Sequence, residues 1–378
     1  MIARTAQPIR RAEHAERFMA EALRLATRGG RAVSPNPLVG AVLVKDGRIV
    51  AHGYHRRFGG AHAEVECLSK YAGPLTRTTL YVTLEPCSHF GKTPPCAALL
   101  ASTPIPRIVV AMKDPNPLVA GEGIRFLRRA GKKVEVGVLH GKAEKLNRRY
   151  IRAIKRKRPY VHVKVAQTLD GRISDGSKSG DERRWITGAG SRRLVHAMRA
   201  DYDAVLVGAR TVAVDDPRLN VRGIKGRDPD VVVLDGRLRI SESARLFRVG
   251  RGRRVFVCAT NAACRENGRK VERLSRRGVI VLAFPGRKGK ISLANLLARL
   301  YAEGIGSLLV EGGGEVFGHF AAEECIDELS LFVTPRFSRG GQFAFGEGSC
   351  WVDAAGRMAS ELEVRQVGRD VLLHAFFD

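Results

Sequence analysis

Three residues in the first quarter of the chain could bind a zinc ion. His62 is followed by Cys87 and Cys96, and one imidazole with two thiolates supplies three ligands to a tetrahedral Zn²⁺ site. In a catalytic site, the fourth position belongs to water, whose pKa the ion lowers towards ~7. Glu64 lies two residues after His62, so it can stand beside the metal without binding it. Its carboxylate could take a proton from that water and return it to a leaving amine.

A structural zinc site, or a pair of ordinary core cysteines, is the alternative interpretation of these residues. A structural site usually has four protein ligands and little use for a carboxylate beside its histidine. The pattern His-x-Glu followed by Pro-Cys is that of the zinc nucleobase deaminases. Here eight residues separate Cys87 from Cys96, which is a longer arm than in that pattern. We therefore expect a catalytic zinc site of an unusual deaminase type.

The tract around the cysteines closely resembles the deaminase half of the bifunctional deaminase–reductase family of riboflavin biosynthesis. It runs over residues 83–96 and contains Thr-Leu-Glu-Pro-Cys-Ser-His and Thr-Pro-Pro-Cys. Members of this family deaminate a diaminohydroxy-pyrimidine ribosyl phosphate and then reduce its ribose. The resemblance implies substrate contacts at Asn36, His55, His89 and Lys92. Each also has an ordinary interpretation as a turn or surface residue, although a lysine on a loop beside a metal is well placed for a phosphate.

A strand, a glycine turn and a helix follow one another late in the chain. Residues 307–310 are apolar, Glu311-Gly312-Gly313-Gly314-Glu315 comes next, and a helix is predicted from about Val316. Converging backbone N–H groups and the helix dipole at such a turn favour a bound phosphate. The signal is weak by itself because glycines also form tight turns. No Gly-x-Gly-x-x-Gly is present, so an ordinary Rossmann domain is not supported.

The order of elements in the second half resembles the reductase half of the same family, which has a dihydrofolate-reductase-like fold and uses NADPH. The resemblance implies ribosyl-phosphate contacts from Arg199, Leu219, Arg222 and Glu311, with Lys164 close to the reacting ribose. It also implies nicotinamide-cofactor contacts at these positions: Ala166, Trp185, Thr211, Asp215, Gly313 and Gly314. Arginines can hold a phosphate, and a carboxylate can hold sugar hydroxyls. Hydride transfer would open the ribose to a ribityl chain, a chemistry that the cofactor carries.

Three positions of the second half depart from the family pattern. Arg183 stands where relatives usually have a serine, Val231 where an arginine is frequent, and Gly236 where a serine follows the strand. A segment rich in Ser, Lys and Gly also lengthens the loop between Arg172 and Trp185. A working deaminase with an impaired reductase therefore stays open as an alternative.

The bulk properties of the chain indicate a two-domain cytoplasmic enzyme. A length of 378 residues suits two domains, and we place the deaminase domain at 1–150 and the reductase domain at 151–378. No apolar run of about 18 residues predicts a membrane span, and the first residues lack the apolar stretch of a secretory signal. Seven cysteines without framework spacing suit a reducing compartment.

The net charge of +27 raises the possibility of a nucleic-acid partner. However, the basic residues are spread along the chain and aromatic residues make up only 6% of it, so a single-strand binding groove is not evident. We expect phosphorylated small ligands, no nucleic acid, no membrane and a homo-oligomer. A nucleic-acid or nucleoside deaminase and a non-enzymatic zinc-stabilised binding protein are the rivals. The long cysteine arm argues against the first, and Glu64 argues against the second.

Hydrophobic periodicity predicts the elements that would position these residues. In the first half it predicts strands over residues 39–44, 48–51, 79–84, 107–112 and 134–138, and helices over 15–27, 62–71, from about 95 and over 123–130. This alternation predicts a three-layer α/β/α domain of the cytidine-deaminase type. Residues 139–158 predict one basic helix that links the domains. In the second half it predicts strands over 160–166, 204–207, 231–234, 255–259, 279–283 and 307–310, and helices over 191–200 and 293–303.

Overall fold

The computed structural model describes residues 6–90, 94–116, 119–174, 185–248, 252–338, 340–345 and 357–378, with only the backbone described over 6–12. The chain divides into two compact units, Met1–Lys157 and Arg158–Asp378. Among the helices of the described residues, none is long and apolar enough to cross a membrane.

The first unit is built on a five-stranded mixed sheet. Its elements are α1 Ala6–Ala26, β1 Gly40–Lys45, β2 Arg48–Tyr54, α2 Ala63–Leu68, β3 Thr78–Val82, α3 Cys96–Ser102, β4 Arg107–Val110, α4 Glu122–Arg129, β5 Lys133–Val136, α5 His140–Leu146 and α6 Arg148–Arg156. The strand order is β2-β1-β3-β4-β5, antiparallel as far as β3 and parallel beyond it. Buried residues of α2, α3 and α4 cover one face, and those of α1 and α5 cover the other. The predicted α/β/α layering is therefore confirmed.

The predicted single helix over residues 139–158 is wrong, because the structure has two helices that meet at Asn147. The Asn147 side chain is buried and bonds to both backbone groups of Leu38: its Oδ1 accepts from the Leu38 N–H at 2.8 Å and its Nδ2 donates to the Leu38 carbonyl at 3.0 Å. A side chain that satisfies distant backbone groups in this way fixes the chain where the helix breaks.

The second unit contains a nine-stranded sheet. Its elements are β6 Tyr160–Thr168, α7 Ala189–Asp201, β7 Ala204–Gly208, α8 Ala209–Asp215, β8 Asp230–Leu234, β9 Val255–Thr260, α9 Asn261–Glu266, α10 Gly268–Arg276, β10 Val279–Phe284, β11 Gly286–Arg287, β12 Lys290–Ile291, α11 Leu293–Ala302, β13 Ser307–Val310, α12 Gly314–Ala322, β14 Glu328–Thr334, β15 Glu361–Val367 and β16 Asp370–Phe376. The strand order is β10-β9-β8-β7-β13-β6-β14-β16-β15. All pairs up to β14 are parallel, and the last two are antiparallel. The strands predicted for this half of the chain are therefore confirmed, and they form the parallel part of the sheet.

Several parts of the second unit were not predicted from the sequence, including α8, the helices α9 and α10, and the strands β14 to β16. The short helix α8 starts directly after β7 and ends at Asp215, and no helix was predicted there. The antiparallel strands β14 to β16 complete the sheet at its C-terminal edge. Leu362 and Val364 are apolar but exposed in β15. The positions of apolar residues in this strand therefore do not indicate which face is buried.

The departures at Val231 and Gly236 have structural reasons. Val231 is fully buried in β8, where an arginine would lose its hydration. A Cβ on Gly236 would lie 1.8 Å from the carbonyl oxygen of Gly289, so only glycine fits this close backbone approach. The third departure, Arg183, lies outside the described residues.

Candidate active sites

The first candidate site brings His62, Cys87 and Cys96 together. His62 is the residue immediately before α2, Cys87 follows the end of β3, and Cys96 is the first residue of α3. The His62 Nδ1 lies 3.5 Å from the Cys87 Sγ and 3.4 Å from the Cys96 Sγ. A tetrahedral zinc with ordinary Zn–S and Zn–N bonds would separate its nitrogen and sulfur ligands by about 3.5 Å. These residues therefore fit a zinc ion.

The two thiols are coupled to each other. The backbone N–H of Cys96 donates to the Cys87 Sγ at 3.3 Å. The pKa of Cys87 is lowered because Cys96 and His62 hydrogen-bond to its sulfur, whereas the pKa of Cys96 is raised because it shares a proton with Cys87 and is buried. One of the pair is therefore readily a thiolate, which is the form that binds metal.

Glu64 lies in the first turn of α2 and is 3% exposed. Burial raises the pKa of its carboxyl to about 7, although its own backbone N–H and His62 oppose the shift. A buried carboxyl with such a pKa can hold or release a proton near neutral pH, which is what a general acid–base group requires. The neighbouring carboxylate Glu66 instead pairs at the surface with Arg56 and Lys70.

Asn36 and His55 stand beside the zinc ligands. The Asn36 Nδ2 lies 3.1 Å from the His55 Nε2, and the His55 Nδ1 lies 3.0 Å from the carbonyl oxygen of Ala61. Since the carbonyl can only accept, Nδ1 carries the proton and Nε2 accepts from the Asn36 amide. The ring centroids of His55 and His62 are 5.3 Å apart. Burial lowers the pKa of His55, so this histidine is held neutral.

The other two predicted substrate contacts of this site are His89 and Lys92. His89 is exposed and lies close enough to Asp114 to influence that carboxyl electrostatically. Asp114 accepts a hydrogen bond from the Tyr150 hydroxyl at 3.2 Å. Lys92 lies outside the described residues.

A buried carboxylate that the sequence analysis missed anchors this site. Glu85 accepts three backbone N–H groups: those of Asp114 at 3.1 Å, Gly121 at 2.9 Å and Ile124 at 3.1 Å. Gly121 and Ile124 belong to the first turn of α4, whose free N–H groups need acceptors. The only sequence signal was an acidic residue immediately before Pro86-Cys87, which does not reveal its distant partners.

The second candidate site contains a buried carboxylate, Glu311, between two cations. Arg199 donates to it from Nε at 2.5 Å and from Nη2 at 2.9 Å, and the Lys164 Nζ lies 3.3 Å from the same carboxylate. Burial alone would raise the pKa of Glu311, but Arg199 and Lys164 outweigh it and lower that pKa to about 2. The strands β6 and β13 are parallel neighbours whose register pairs Val163 with Val310. Lys164 and Glu311 are the next residue in each chain segment, so they lie side by side.

A basic loop adjoins this carboxylate. The Arg199 Nη1 donates to the Asn220 carbonyl at 3.3 Å, and the Arg222 N–H donates to the Nδ1 of His196 at 3.2 Å. Burial and the two arginines lower the pKa of His196. The Leu219 side chain is buried in the core between the sheet and its neighbouring segments, so a substrate could meet only its backbone.

Five of the six predicted cofactor positions lie in β6 or in the segments that follow β7 and β13. Thr211 lies in α8, and its Oγ1 would be 3.7 Å from a Cβ added to Gly313. Gly313 precedes α12 and Gly314 begins it. The remaining three positions are Ala166 in β6, Asp215 at the end of α8, and Trp185, whose half-exposed ring lies under the Arg192 guanidinium at 5.3 Å.

Comparison with known proteins gives a match in each half of the chain. Residues 12–112 match the family described as the cytidine and deoxycytidylate deaminase zinc-binding region. Residues 159–373 match the RibD C-terminal domain. These matches imply a zinc ion in the first unit and a nicotinamide cofactor in the second.

Individual relatives match nearly the whole chain. The riboflavin biosynthesis protein RibD of Actinobacillus pleuropneumoniae is 38% identical over 361 residues, which are 94% of this chain and 93% of that protein. The solved RibD structure from Acinetobacter baumannii, form 1, has a TM-score of 0.84 at 35% identity and covers 97% of this chain and 99% of its own.

A second solved structure is also similar to nearly the whole chain. It is the diaminohydroxyphosphoribosylaminopyrimidine deaminase / 5-amino-6-(5-phosphoribosylamino)uracil reductase of Thermotoga maritima, with a TM-score of 0.81 and 35% identity over 97% of this chain and 100% of that chain. The chain therefore belongs to the RibD family of bifunctional deaminase–reductase enzymes of riboflavin biosynthesis.

Proposed function

We propose that the first unit deaminates a diaminohydroxy-phosphoribosylaminopyrimidine and that the second unit reduces the ribosyl group of the product to ribityl, with NADPH as the hydride donor. The observation that carries this proposal is the buried carboxyl of Glu64 beside the three converging ligand atoms of His62, Cys87 and Cys96. A structural zinc site would not need that proton carrier.

His62, Cys87 and Cys96 would hold the zinc ion in the deaminase step. When bound, zinc supplies Lewis acidity that makes water a nucleophile at neutral pH. Glu64 takes up the proton that this water loses and hands it to the leaving amino group, so that ammonia departs as a neutral molecule. The raised pKa of Glu64, about 7, supports both halves of this transfer.

Asn36 and His55 would orient the pyrimidine in the deaminase unit. Since His55 accepts one amide N–H of Asn36, the second N–H and the carbonyl of that amide would serve a ligand with matching acceptor and donor positions. From the family resemblance, His89 and Lys92 would contact the phosphate of the same substrate, because a lysine ammonium attracts an anion.

In the second unit, Arg199, Arg222 and the backbone of Leu219 would bind the ribosyl phosphate. Glu311 would accept hydrogen bonds from sugar hydroxyls, and Lys164 would supply a proton near the carbon that receives the hydride. The six positions in β6, α8, Trp185 and the turn before α12 would contact the cofactor. The departures at Val231 and Gly236 have packing reasons, and neither residue is among those proposed to bind substrate or cofactor.

The cofactor choice, the compartment and the assembly complete the proposal. NADPH rather than NADH is expected because the arrangement resembles that of an NADPH-dependent family. We further propose a cytoplasmic homo-oligomer that acts on a phosphorylated pyrimidine, without a nucleic-acid or membrane partner.

A product analysis tests this function. The zinc-loaded protein would be incubated with the diaminopyrimidine substrate, without a cofactor, with NADH or with NADPH, and the products would be identified by mass. We expect a deaminated product in every reaction and a product two hydrogens heavier only with NADPH. Deamination with no reduction would instead support a deaminase with an impaired reductase.

A further inference from the structure

A second cluster of metal-binding side chains lies in the sheet of the reductase unit. His162 is on β6, Glu328 is on β14 and His374 is on β16, and these three strands are neighbours. His162 and Glu328 are directly opposed across their strand pair, and His374 is opposed to Ser330, two residues along from Glu328. Side chains two residues apart point to the same face of a sheet. The register therefore brings two imidazoles and one carboxylate onto one patch.

The potential ligand atoms of this cluster converge. The Glu328 Oε1 lies 3.3 Å from the His162 Nδ1 and 2.6 Å from the His374 Nε2, and all three atoms are within 4.8 Å of one another. His162 and Glu328 are almost completely buried, while the His374 side chain is 25% exposed. The cluster is thus closed on one side and open to entry at His374.

A neighbouring hydroxyl can orient His162 for metal binding. The His162 Nε2 lies 2.9 Å from the Ser330 Oγ, and a ligating histidine ordinarily donates its second ring N–H to such an acceptor. With the proton on Nε2, the lone pair of Nδ1 faces Glu328. The Tyr202 hydroxyl lies 2.6 Å from the same Nδ1 and 3.2 Å from the Glu328 Oε2. A metal ion on Nδ1 would therefore take the place of the hydrogen bond between Nδ1 and this hydroxyl.

The spacing suits a small divalent cation that accepts nitrogen and oxygen ligands. Neighbouring ligands of a tetrahedral zinc ion are about 3.3 Å apart when each bond is about 2.0–2.1 Å. The His162–Glu328 separation already has this value. The closer His374–Glu328 contact is a hydrogen bond. A metal would displace the proton of this bond and move the two groups less than 1 Å further apart. The His374 side chain is the most exposed of the three, so it is the group that would move.

We propose that His162, Glu328 and His374 form a second zinc site, which fastens β6, β14 and β16 together and is separate from the zinc site of the deaminase unit. None of its three ligands is among the residues assigned to substrate or cofactor. The site therefore binds metal for stability rather than for catalysis. The proposal stands independently of the proposed function, because it uses no residue of either active site.

Metal counting in the full chain tests this proposal. The double variant C87S/C96S removes two deaminase ligands and isolates the second site. We expect two zinc ions per chain in the wild type, one in C87S/C96S, and none when His374→Gln is added to that background. His319→Gln is the matched control: His319 also pairs with a glutamate, Glu323, at 2.8 Å, but it is in no three-ligand cluster among the described residues. In the C87S/C96S background, His319→Gln should retain one zinc.

Cobalt substitution distinguishes the two sites in the same proteins. Thiolate-to-cobalt charge-transfer bands should vanish in C87S/C96S, while the visible bands of cobalt bound by nitrogen and oxygen remain and disappear with His374→Gln. A wild type with one zinc and a C87S/C96S variant with none would overturn the second site and leave the deaminase centre intact. Near-ultraviolet circular dichroism of each variant excludes unfolding as the cause of metal loss.

Discussion

At the scale of single residues, burial decides which of several similar groups carries chemistry. Glu64 and Glu66 lie two positions apart on the same short helix. Glu64 is buried and has a pKa of about 7, whereas Glu66 is partly exposed and its pKa is lowered by Lys70 and Arg56. Only Glu64 can exchange a proton near neutral pH. Cys67 differs from Cys87 in a similar way, because burial raises the pKa of Cys67 to about 12 and keeps its thiol protonated, whereas the pKa of Cys87 is lowered.

Glu64→Gln should retain zinc and lower the deamination rate by about 10²–10⁴, because the amide preserves the shape of the side chain but cannot carry the proton. Ammonia release and bound zinc would be measured on the same preparation. Glu66→Gln is the matched control and should change neither quantity. An unchanged rate in Glu64→Gln would remove the role assigned to this carboxyl.

Gly236→Ser should destabilise the protein by about 1–3 kcal/mol, the usual effect of forcing extra atoms into a packed region. The reason is the 1.8 Å approach of an added Cβ to the Gly289 carbonyl oxygen. Urea unfolding measures the change. Gly268→Ser serves as the control, since a Cβ there meets no atom within 4 Å. Equal stability of the two variants would contradict the packing explanation.

At the scale of elements, side chains that bond to distant backbone groups fix the ends of strands and helices. Glu85 joins the end of β3 to the first turn of α4, and Asn147 joins the break between α5 and α6 to Leu38. Both residues are buried. Because Cys87 follows Glu85 by two positions, the same anchor fixes the strand end that delivers a zinc ligand.

Replacing Glu85 by Gln should lower the free energy of unfolding by about 1–3 kcal/mol, since the amide nitrogen would face backbone N–H donors and leave one of them unsatisfied. Chemical denaturation of the zinc-loaded protein tests this. Glu135→Gln provides the comparison, because Glu135 pairs with Arg107 at the surface of β5 and surface pairs contribute little. A Glu85→Gln protein as stable as this control would show that the anchor is dispensable.

At the scale of the whole molecule, the two sets of functional residues lie in separate compact units. His62, Glu64, Cys87 and Cys96 belong to Met1–Lys157, and the Glu311 cluster belongs to Arg158–Asp378. Each unit contains its own sheet and core. The two reactions should therefore be separable by mutation.

Glu64→Gln should leave the reduction of separately supplied deaminated intermediate within about twofold of the wild-type rate, a difference below about 0.4 kcal/mol. Lys164→Ala should leave ammonia release equally unaffected while it lowers reduction. Cofactor oxidation and ammonia release, followed in parallel, measure both effects. Loss of both activities in either variant would show that the units depend on each other for catalysis.

Acid should destabilise the reductase unit through Glu311. The folded-state pKa of about 2 lies below the ordinary value of 4.5, so the ionised carboxylate contributes stability above about pH 4.5 and loses it as the pH falls towards 2. Between about pH 5 and about pH 3 this contribution amounts to a loss on the order of 2 kcal/mol.

Glu311→Gln should be less stable than the wild type at neutral pH by about 3–5 kcal/mol, because Arg199 and Lys164 lose their buried partner. It should also lose less stability than the wild type over the acidic range. Urea midpoints at both pH values measure the difference. An identical acid dependence of the two proteins would exclude Glu311 as the responsible group.

Much of the architecture could be predicted because it depends on local patterns. The apolar runs that became β7, β8, β9 and β10 are short, continuous and rich in valine, which is typical of buried parallel strands. The amphipathic pattern of α1 and the Asp46-Gly47 turn between β1 and β2 are equally local. No strand was predicted over β14 to β16. In β15 no alternation of buried and exposed positions could mark the strand, because it lies at the edge of the sheet and none of its residues is buried.

The sequence by itself determined the ligand types, their spacing and the carboxylate two residues from His62, since these are properties of the covalent chain. Only the tertiary structure decided that Glu64 is buried, that Glu85 accepts N–H groups from α4, and that His162 meets His374 across the sheet. These contacts join residues as many as 212 positions apart in the sequence. Strand order and register create them, because a buried side chain acquires its pKa and partners from whatever the fold packs against it.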